Sequence, residues 1–247
     1  MTTSTIDIIT LLPGPVRERA VTLGADLSDR MVEAGIASAF TLGSPFPGGG
    51  HDNVNVCEPH VSLFMLELAT ADLPDVTSAI AEVAGSQASF AATGTHVAHN
   101  PQGAAELFFE VTSGWRELQR AVVERVEPLR RGRLRPTDPA GRSLAELIRT
   151  SSDADQVRQL RLYGYDEIHD GAADRFRPHL TLAWPKARHG AVDASGLPTD
   201  ALDHVVSEIA VAAMHPYGTC TTIVSRSALG ITHSPESSLR RRSRPGK

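Results

Sequence analysis

The sequence holds only two cysteines in 247 residues, Cys57 and Cys220, too few and too far apart for a disulfide framework or a Cys/His metal motif. They read as buried thiols in a reducing, cytoplasmic compartment. No apolar run approaches the roughly 18 residues that a membrane-crossing helix needs, so no membrane partner is expected. The opening stretch MTTSTIDIITLLPGPVRER has no basic region ahead of its short apolar segment, which reads against a secretory leader. Excess positive charge is also missing: 24 Lys and Arg stand against 29 Asp and Glu, a formal net charge of −5. A protein that grips a long nucleic acid carries a basic footprint, so this balance argues against a long RNA or DNA partner. Arginines cluster in RRGRLR (130–135), where Arg130, Arg131, Arg133 and Arg135 read as a solvated loop, and in the tail LRRRSRPGK (239–247). The tail combines Arg, Ser, Pro and Gly without an apolar period and reads as disordered from 236 to 247. No obligatory protein partner is evident.

What is present is an ordinary apolar fraction, 41%, arranged in segments of clear period. Residues 5–12 are β-branched and apolar and predict a strand; 15–35, with Pro15 in the first turn, predict a helix. SPFPGGGHDNVN (44–55) is a loop, and His51 and Asp52 behind its three glycines read as plain loop residues. A strand over 59–68, a helix over 73–85, strands over 88–99 and 105–113 and a helix over 114–129 follow. From 130 to about 174 the pattern breaks into loops and short helical pieces and reads as an insert. A strand over 177–184, a helix over 199–210 and a strand over 219–229 complete the order. Strand, helix, strand, helix occurs roughly twice, which predicts an internally duplicated α+β fold with antiparallel sheets. The expected organisation is one domain over 1–235, carrying the insert at about 130–174, with the basic tail over 236–247.

One phrase is written twice. PHVSLFML begins at Pro59 and PHLTLAWP at Pro178. A bare His-x-Ser/Thr means little, because Ser and Thr make up 39 of 247 residues and ten histidines would meet one or two by chance. The setting is what carries information. Side chains alternate along a strand, so His60, Ser62 and Phe64 share one face of the first phrase. Arg177, His179 and Thr181 share one face of the second, with Leu180, Leu182 and Trp184 opposite as core. Each strand therefore presents an imidazole and a hydroxyl about 6–7 Å apart.

Two imidazoles flanking one cleft suit phosphoester cleavage, one taking a proton from the attacking oxygen and the other giving one to the leaving oxygen. Hydroxyls beside them stabilise charge on the phosphate oxygens. No metal or other cofactor is called for. Arg177, on the face of His179, is a candidate phosphate ligand. Tyr163 and Tyr165 are candidates for lining the cleft and stacking on a base, with packing of the insert as the alternative for both.

The paired motifs HVSL (60–63) and HLTL (179–182) resemble the signature of the 2H phosphoesterase superfamily, and IDIITLLPGPVRERA resembles its opening strand and helix. The resemblance covers about 5–129 and 175–229. It implies a bilobal fold, two antiparallel sheets related by a pseudo-twofold with one motif on each side of a cleft. It also implies His60 and His179 as catalytic residues, with Ser62 and Thr181 as substrate ligands. The implied activity is a metal-independent phosphodiesterase acting on a 2′,3′-cyclic phosphate end or a small nucleotide diester. RNA 2′-5′ end joining and a non-catalytic nucleotide- or RNA-binding module are the alternatives. YGYDEIHDGAADRFRPHLTL is similar to 2H proteins associated with phosphonate operons, which implies a small phosphodiester rather than RNA.

Overall fold

The computed structural model describes residues 2–47, 55–186, 191 and 193–230. The glycine loop residues His51 and Asp52 and the basic tail lie outside them. The chain is α+β, and every pairing between its strands is antiparallel. In order it forms β1 (Thr3–Leu11), α1 (Gly14–Glu33), β2 (His60–Ala69), α2 (Leu73–Ser86), β3 (Phe90–Ala92), β4 (Gly94–His99), β5 (Ala105–Phe109) and α3 (Ser113–Val126). Then come α4 (Leu144–Thr150), α5 (Ala154–Tyr163), β6 (His179–Ala183), β7 (His204–Val206), β8 (Glu208–His215) and β9 (Thr219–Ala228).

One sheet runs β2-β1-β8-β9 and a second runs β4-β5-β6, with β3 and β7 paired separately. Both motif strands are edge strands. β2 borders the first sheet, β6 borders the second, and the two pack against each other. Each is paired on its inner side with the strand that precedes it in its own half, β1 or β5.

The halves are laced together by their helices. α1 follows β1 of the first sheet but packs on β6 of the second; α3 follows β5 of the second sheet but packs on β2 of the first. The buried face of α1 carries Val16, Ala20, Gly24, Leu27 and Met31, at helical spacing. Gly24 sets how closely α1 can approach. A Cβ there would lie 3.0 Å from the Leu182 carbonyl oxygen and 3.1 Å from Leu42 Cδ1.

Two expectations are corrected. Residues 199–210, expected as a helix, form a short 3-10 turn (Asp200–Leu202), then β7 and the start of β8. Leu202, Val206 and Ile209 do fall at helical spacing. The sequence is nevertheless drawn out because β8 is the central strand between β1 and β9, where β-branched and small residues are buried on both faces. The duplication therefore stops at the second motif strand, which no α-helix follows among the described residues. Residues 88–99, expected as one strand, divide into β3 and β4 in different sheets. The break falls at Gly94, whose N–H donates to Asp203 Oδ1 and where a Cβ would sit 2.2 Å from the Thr199 carbonyl oxygen.

Filling the contact at Gly24 tests the lacing. Gly24→Leu should cost about 1–3 kcal/mol by overpacking, read as a lower melting temperature by several degrees. An unchanged melting temperature would show that α1 does not clamp β6.

Candidate active site

Each motif histidine is held the same way. His60 Nδ1 lies 2.6 Å from the carbonyl oxygen of Glu58, and His179 Nδ1 lies 2.7 Å from that of Arg177. A carbonyl only accepts, so the proton sits on Nδ1 in both rings and Nε2 is the chemically available nitrogen. In both cases the accepting carbonyl belongs to the residue before a proline, a position that proline restricts to extended backbone. Both histidines line a single cavity of about 540 Å³, together with Ser62 and Thr181.

The strands repeat a further feature. Ile8 pairs with Phe64 but Ile9 with Ser62, so Leu63 is an extra residue in β2; Ala105 pairs with Ala183 but Glu106 with Thr181, so Leu182 is an extra residue in β6. A bulge at the same place in each motif shifts the alternation by one. Met65 and Trp184 therefore follow Ser62 and Thr181 along the cleft. Phe64, expected on that face, is instead wholly in the core, and Trp184, expected in the core alone, is 7% exposed, lines the cleft and meets Tyr217 edge to face.

Behind each motif stands a buried carboxylate that periodicity did not single out. Asp7 of β1, fully buried, accepts a hydrogen bond from Ser62 Oγ at 2.6 Å and lies 3.8 Å from His60 Nε2. Glu106 of β5, opposite Thr181, lies 3.8 Å from His179 Nε2 and accepts from Asn100 Nδ2 at 2.7 Å. Their only sequence signal is a lone acid inside an apolar strand, in TIDIIT and AELFF. Burial pushes Asp7 up to about 7, against the opposing pull of the Ser62 hydrogen bond, Arg135 and His179. Burial raises Glu106 as well.

These surroundings bias the two imidazoles in opposite directions. Burial lowers His60 below its ordinary value, with the Glu58 carbonyl and carboxylate opposing. Burial works against charge on His179 too, but the carboxylates of Glu106 and Glu167 outweigh it and raise this ring above its ordinary value. Ser62 has its proton committed to Asp7, whereas the Thr181 hydroxyl has no partner among the described residues.

The segment between α3 and β6 adds no strand to either sheet and walls the cleft through α4, α5 and their loops. Arg177 lines the rim, but its guanidinium is ion-paired with Glu167 and lies 5.8 Å from the Phe108 ring. Tyr165 is buried, lines the cavity and lies 6.4 Å from Phe64, ring to ring. The arginines of 130–135 are not a uniformly solvated loop. Arg130, 2% exposed, is tied to Glu127 at 2.7 Å and to the Leu162 carbonyl; Arg135, 4% exposed, lines the cleft. An ion pair and backbone carbonyls draw Arg130 inward, and the Gly164 carbonyl draws Arg135, where local composition suggested exposure.

Asp7, His60 and Cys220 offer donor atoms all within 4.8 Å of one another, a set drawn from three strands or strand edges that linear spacing does not reveal. A cation there would have to displace the proton of a wholly buried thiol, which burial pushes well above its usual range. Cys57 is buried and free as well. Among the described residues no helix is long and apolar enough to cross a membrane.

These features define a class: an α+β protein whose two sheets each bring an edge-strand His-x-Ser/Thr pair to one cleft, the arrangement implied by the resemblance to 2H phosphoesterases. Solved structures similar to this chain include E. coli LigT complexed with NADP+, 14% identical with a TM-score of 0.49, covering 92% of this chain and 99% of that one. A structure described as a phosphoesterase is 13% identical with a TM-score of 0.46, covering 92% and 99%. Usb1 of Kluyveromyces marxianus is 11% identical with a TM-score of 0.39, covering 90% and 98%. No family model and no curated protein matches the sequence. At these identities and TM-scores the likeness carries no argument about chemistry, which rests on the chain's own site.

Asp7 gives a stability test. Its folded value of about 7 lies above the unfolded 3.8, so its contribution is fully present below 3.8 and is lost as pH rises through about 7. Asp7→Asn removes that dependence. Between pH 5 and pH 8 the variant should gain about 2–3 kcal/mol relative to the parent in urea unfolding. A constant difference across that range would show that Asp7 does not take up a proton on folding.

Proposed function

We propose that the protein is a phosphodiesterase that opens a 2′,3′-cyclic phosphate or cleaves a small nucleotide diester by two-histidine acid–base chemistry. The observation that carries this reading is the opposite bias of His60 and His179 within one cleft, each with Nδ1 tied to a carbonyl. Groups whose surroundings push their proton affinities apart are a base and an acid in waiting.

His60, neutral near pH 7 with its proton on Nδ1, takes a proton on Nε2 from the water that attacks phosphorus. His179, protonated on both nitrogens, gives its Nε2 proton to the ribose oxygen that leaves as the P–O bond breaks. One proton enters and one departs, so the enzyme ends each turnover with the two roles exchanged and resets through solvent. Thr181 donates its hydroxyl to a non-bridging phosphate oxygen. Ser62 does the same when Asp7 is protonated, since the carboxyl can then donate to Ser62 Oγ and leave the serine hydrogen for the phosphate. No step draws on a metal.

Joining RNA ends by the 2′-5′ linkage puts a 5′-hydroxyl in the place of the attacking water, with the ribose 3′-oxygen again leaving, and uses the same two groups. A binding module without turnover would need no acid and base biased apart. Among the arginines on the cleft wall, Arg142, Arg175 and Arg177 are each paired with a carboxylate. Among the described residues the cleft thus offers no continuous basic track for a long strand, which supports a small nucleotide.

Against a panel of cyclic nucleotides, His60→Ala and His179→Ala should each lower kcat/KM by about 10²–10⁴-fold, and the double variant should be little worse, because the pair acts as a unit. Ser62→Ala and Thr181→Ala should cost about 10–10³-fold. EDTA should change nothing; activity that vanishes with chelation would sink the scheme. The rate should trace a bell in pH, its acid limb below 6.5 from His60 and its alkaline limb above 6.5 from His179. Glu106→Gln removes a charge that raises His179, so the alkaline limb should move to lower pH while the acid limb stays. A profile unmoved by Glu106→Gln would take that carboxylate out of the mechanism.

A further inference from the structure

Among the described residues four arginines line the cleft: Arg135, Arg142, Arg175 and Arg177. Three are committed. Arg142 pairs with Asp138 at 2.7 Å, Arg175 with Asp153, and Arg177 with Glu167. Arg135 is different. It is the most buried of the four, at 4% exposed, yet no carboxylate of the described residues forms an ion pair with it. Its Nη2 donates to the Gly164 carbonyl at 3.1 Å, its Nη1 touches Met65 Sδ at 3.8 Å, and its Nε has no partner. Its Cζ lies 5.8 Å from the centre of the Tyr165 ring.

A guanidinium has five N–H donors in a planar fork, and here only one makes a strong bond. Asp7, Asp138 and Asp166 favour its charge from farther off, yet a cation taken out of water with no carboxylate in contact is costly. Burial weakens its hold on the proton accordingly. Folding nevertheless places it with care. Gly164 closes α5 in a left-handed conformation, φ 69°, and packs so tightly that a Cβ there would lie 3.4 Å from the Arg135 backbone nitrogen. Arg135 lines the substrate cavity, so an anion entering that cavity can take up guanidinium donors that the fold leaves unmet.

The contact with Met65 sets this anion further along β2 than the first motif histidine. Met65 follows Ser62 along the cleft face of β2, so Arg135 stands beyond Ser62 on the side away from His60. By strand rise Met65 lies on the order of 13 Å along β2 from His60, backbone to backbone, so the two residues mark different stretches of the cleft wall.

We propose that Arg135 forms a second anion subsite, which takes a terminal phosphate carried by the substrate in addition to its diester. The substrate class is then a small nucleotide diester with a further phosphomonoester, held at one end by the histidine motifs and at the other by the insert. This deepens the phosphodiesterase reading and rests on it for the diester end.

Calorimetric titration of the His60→Ala/His179→Ala protein, which cannot turn substrate over, tests the subsite by itself. The probes are a nucleoside 2′,3′-cyclic phosphate with and without a 5′-phosphate. The 5′-phosphorylated compound should bind about 10–100-fold more tightly. Adding Arg135→Met should shrink that gap to about twofold or less, and Arg135→Lys should keep part of it by supplying charge without the fork. Arg135→Met should also melt, without ligand, no lower than its parent, since it removes an unpaired buried charge. Equal affinity for the two compounds, binding of neither, or a gap that survives Arg135→Met would overturn the proposal, and a lower melting temperature with the gap intact would assign Arg135 to structure alone. Failure of the wild-type protein to hydrolyse either compound would instead count against the phosphodiesterase reading, with the binding gap still deciding Arg135.

Discussion

Everything at the cleft depends on the hydrogen bond from each motif histidine to the backbone carbonyl two residues before it. With the Nδ1 proton given to Glu58 or Arg177, each ring is fixed in one tautomer and presents Nε2. The intervening prolines, Pro59 and Pro178, favour the extended backbone that aims those carbonyls. The motif is thus three residues of scaffold before it is one residue of chemistry. Without that bond an imidazole at the start of an edge strand would turn freely, and proton transfer in a defined direction would be lost.

The two rings are held alike but biased differently, and the difference comes from their neighbours. Asp7 is short and sealed behind Ser62, so burial dominates its behaviour and it offers His60 little negative charge. Glu106, with Glu167 across the cleft, places two carboxylates near His179 and favours its cationic form. A pseudo-symmetric frame therefore yields an asymmetric pair. The crossed packing of α1 on β6 and α3 on β2 keeps both edges in register, because neither sheet can shift without moving a helix from the other half.

The insert gives the cleft its far wall. Its arginines would make a basic surface if they were free, but carboxylates from the same segment or its borders neutralise all but one of those that reach the cavity. Net charge hides this arrangement, since a single unpaired cation in a dry pocket counts the same as one in solvent. The physical difference lies in desolvation, which makes the buried one attractive to an anion.

The sequence by itself determined the elements with strong period and the repeated phrase: β1, α1, β2, α2, α3, β6 and β9, and the pairing of His60 with Ser62 and of His179 with Thr181. Those rest on local alternation and capping, which the chain carries residue by residue. Tertiary structure decided the rest. The strand character of 204–215 came from the vacancy between β1 and β9, against a helical spacing of apolar residues. The cleft positions of Met65 and Trp184 came from a bulge in each motif strand, which no period of two can anticipate. Asp7 and Glu106 acquired meaning only because antiparallel pairing set them behind the motifs, and Arg135 only because the fold buried it outside any contact ion pair of the described residues. Such effects depend on which strand lies next to which and on what water is excluded, and neither is written in the order of residues along a single segment.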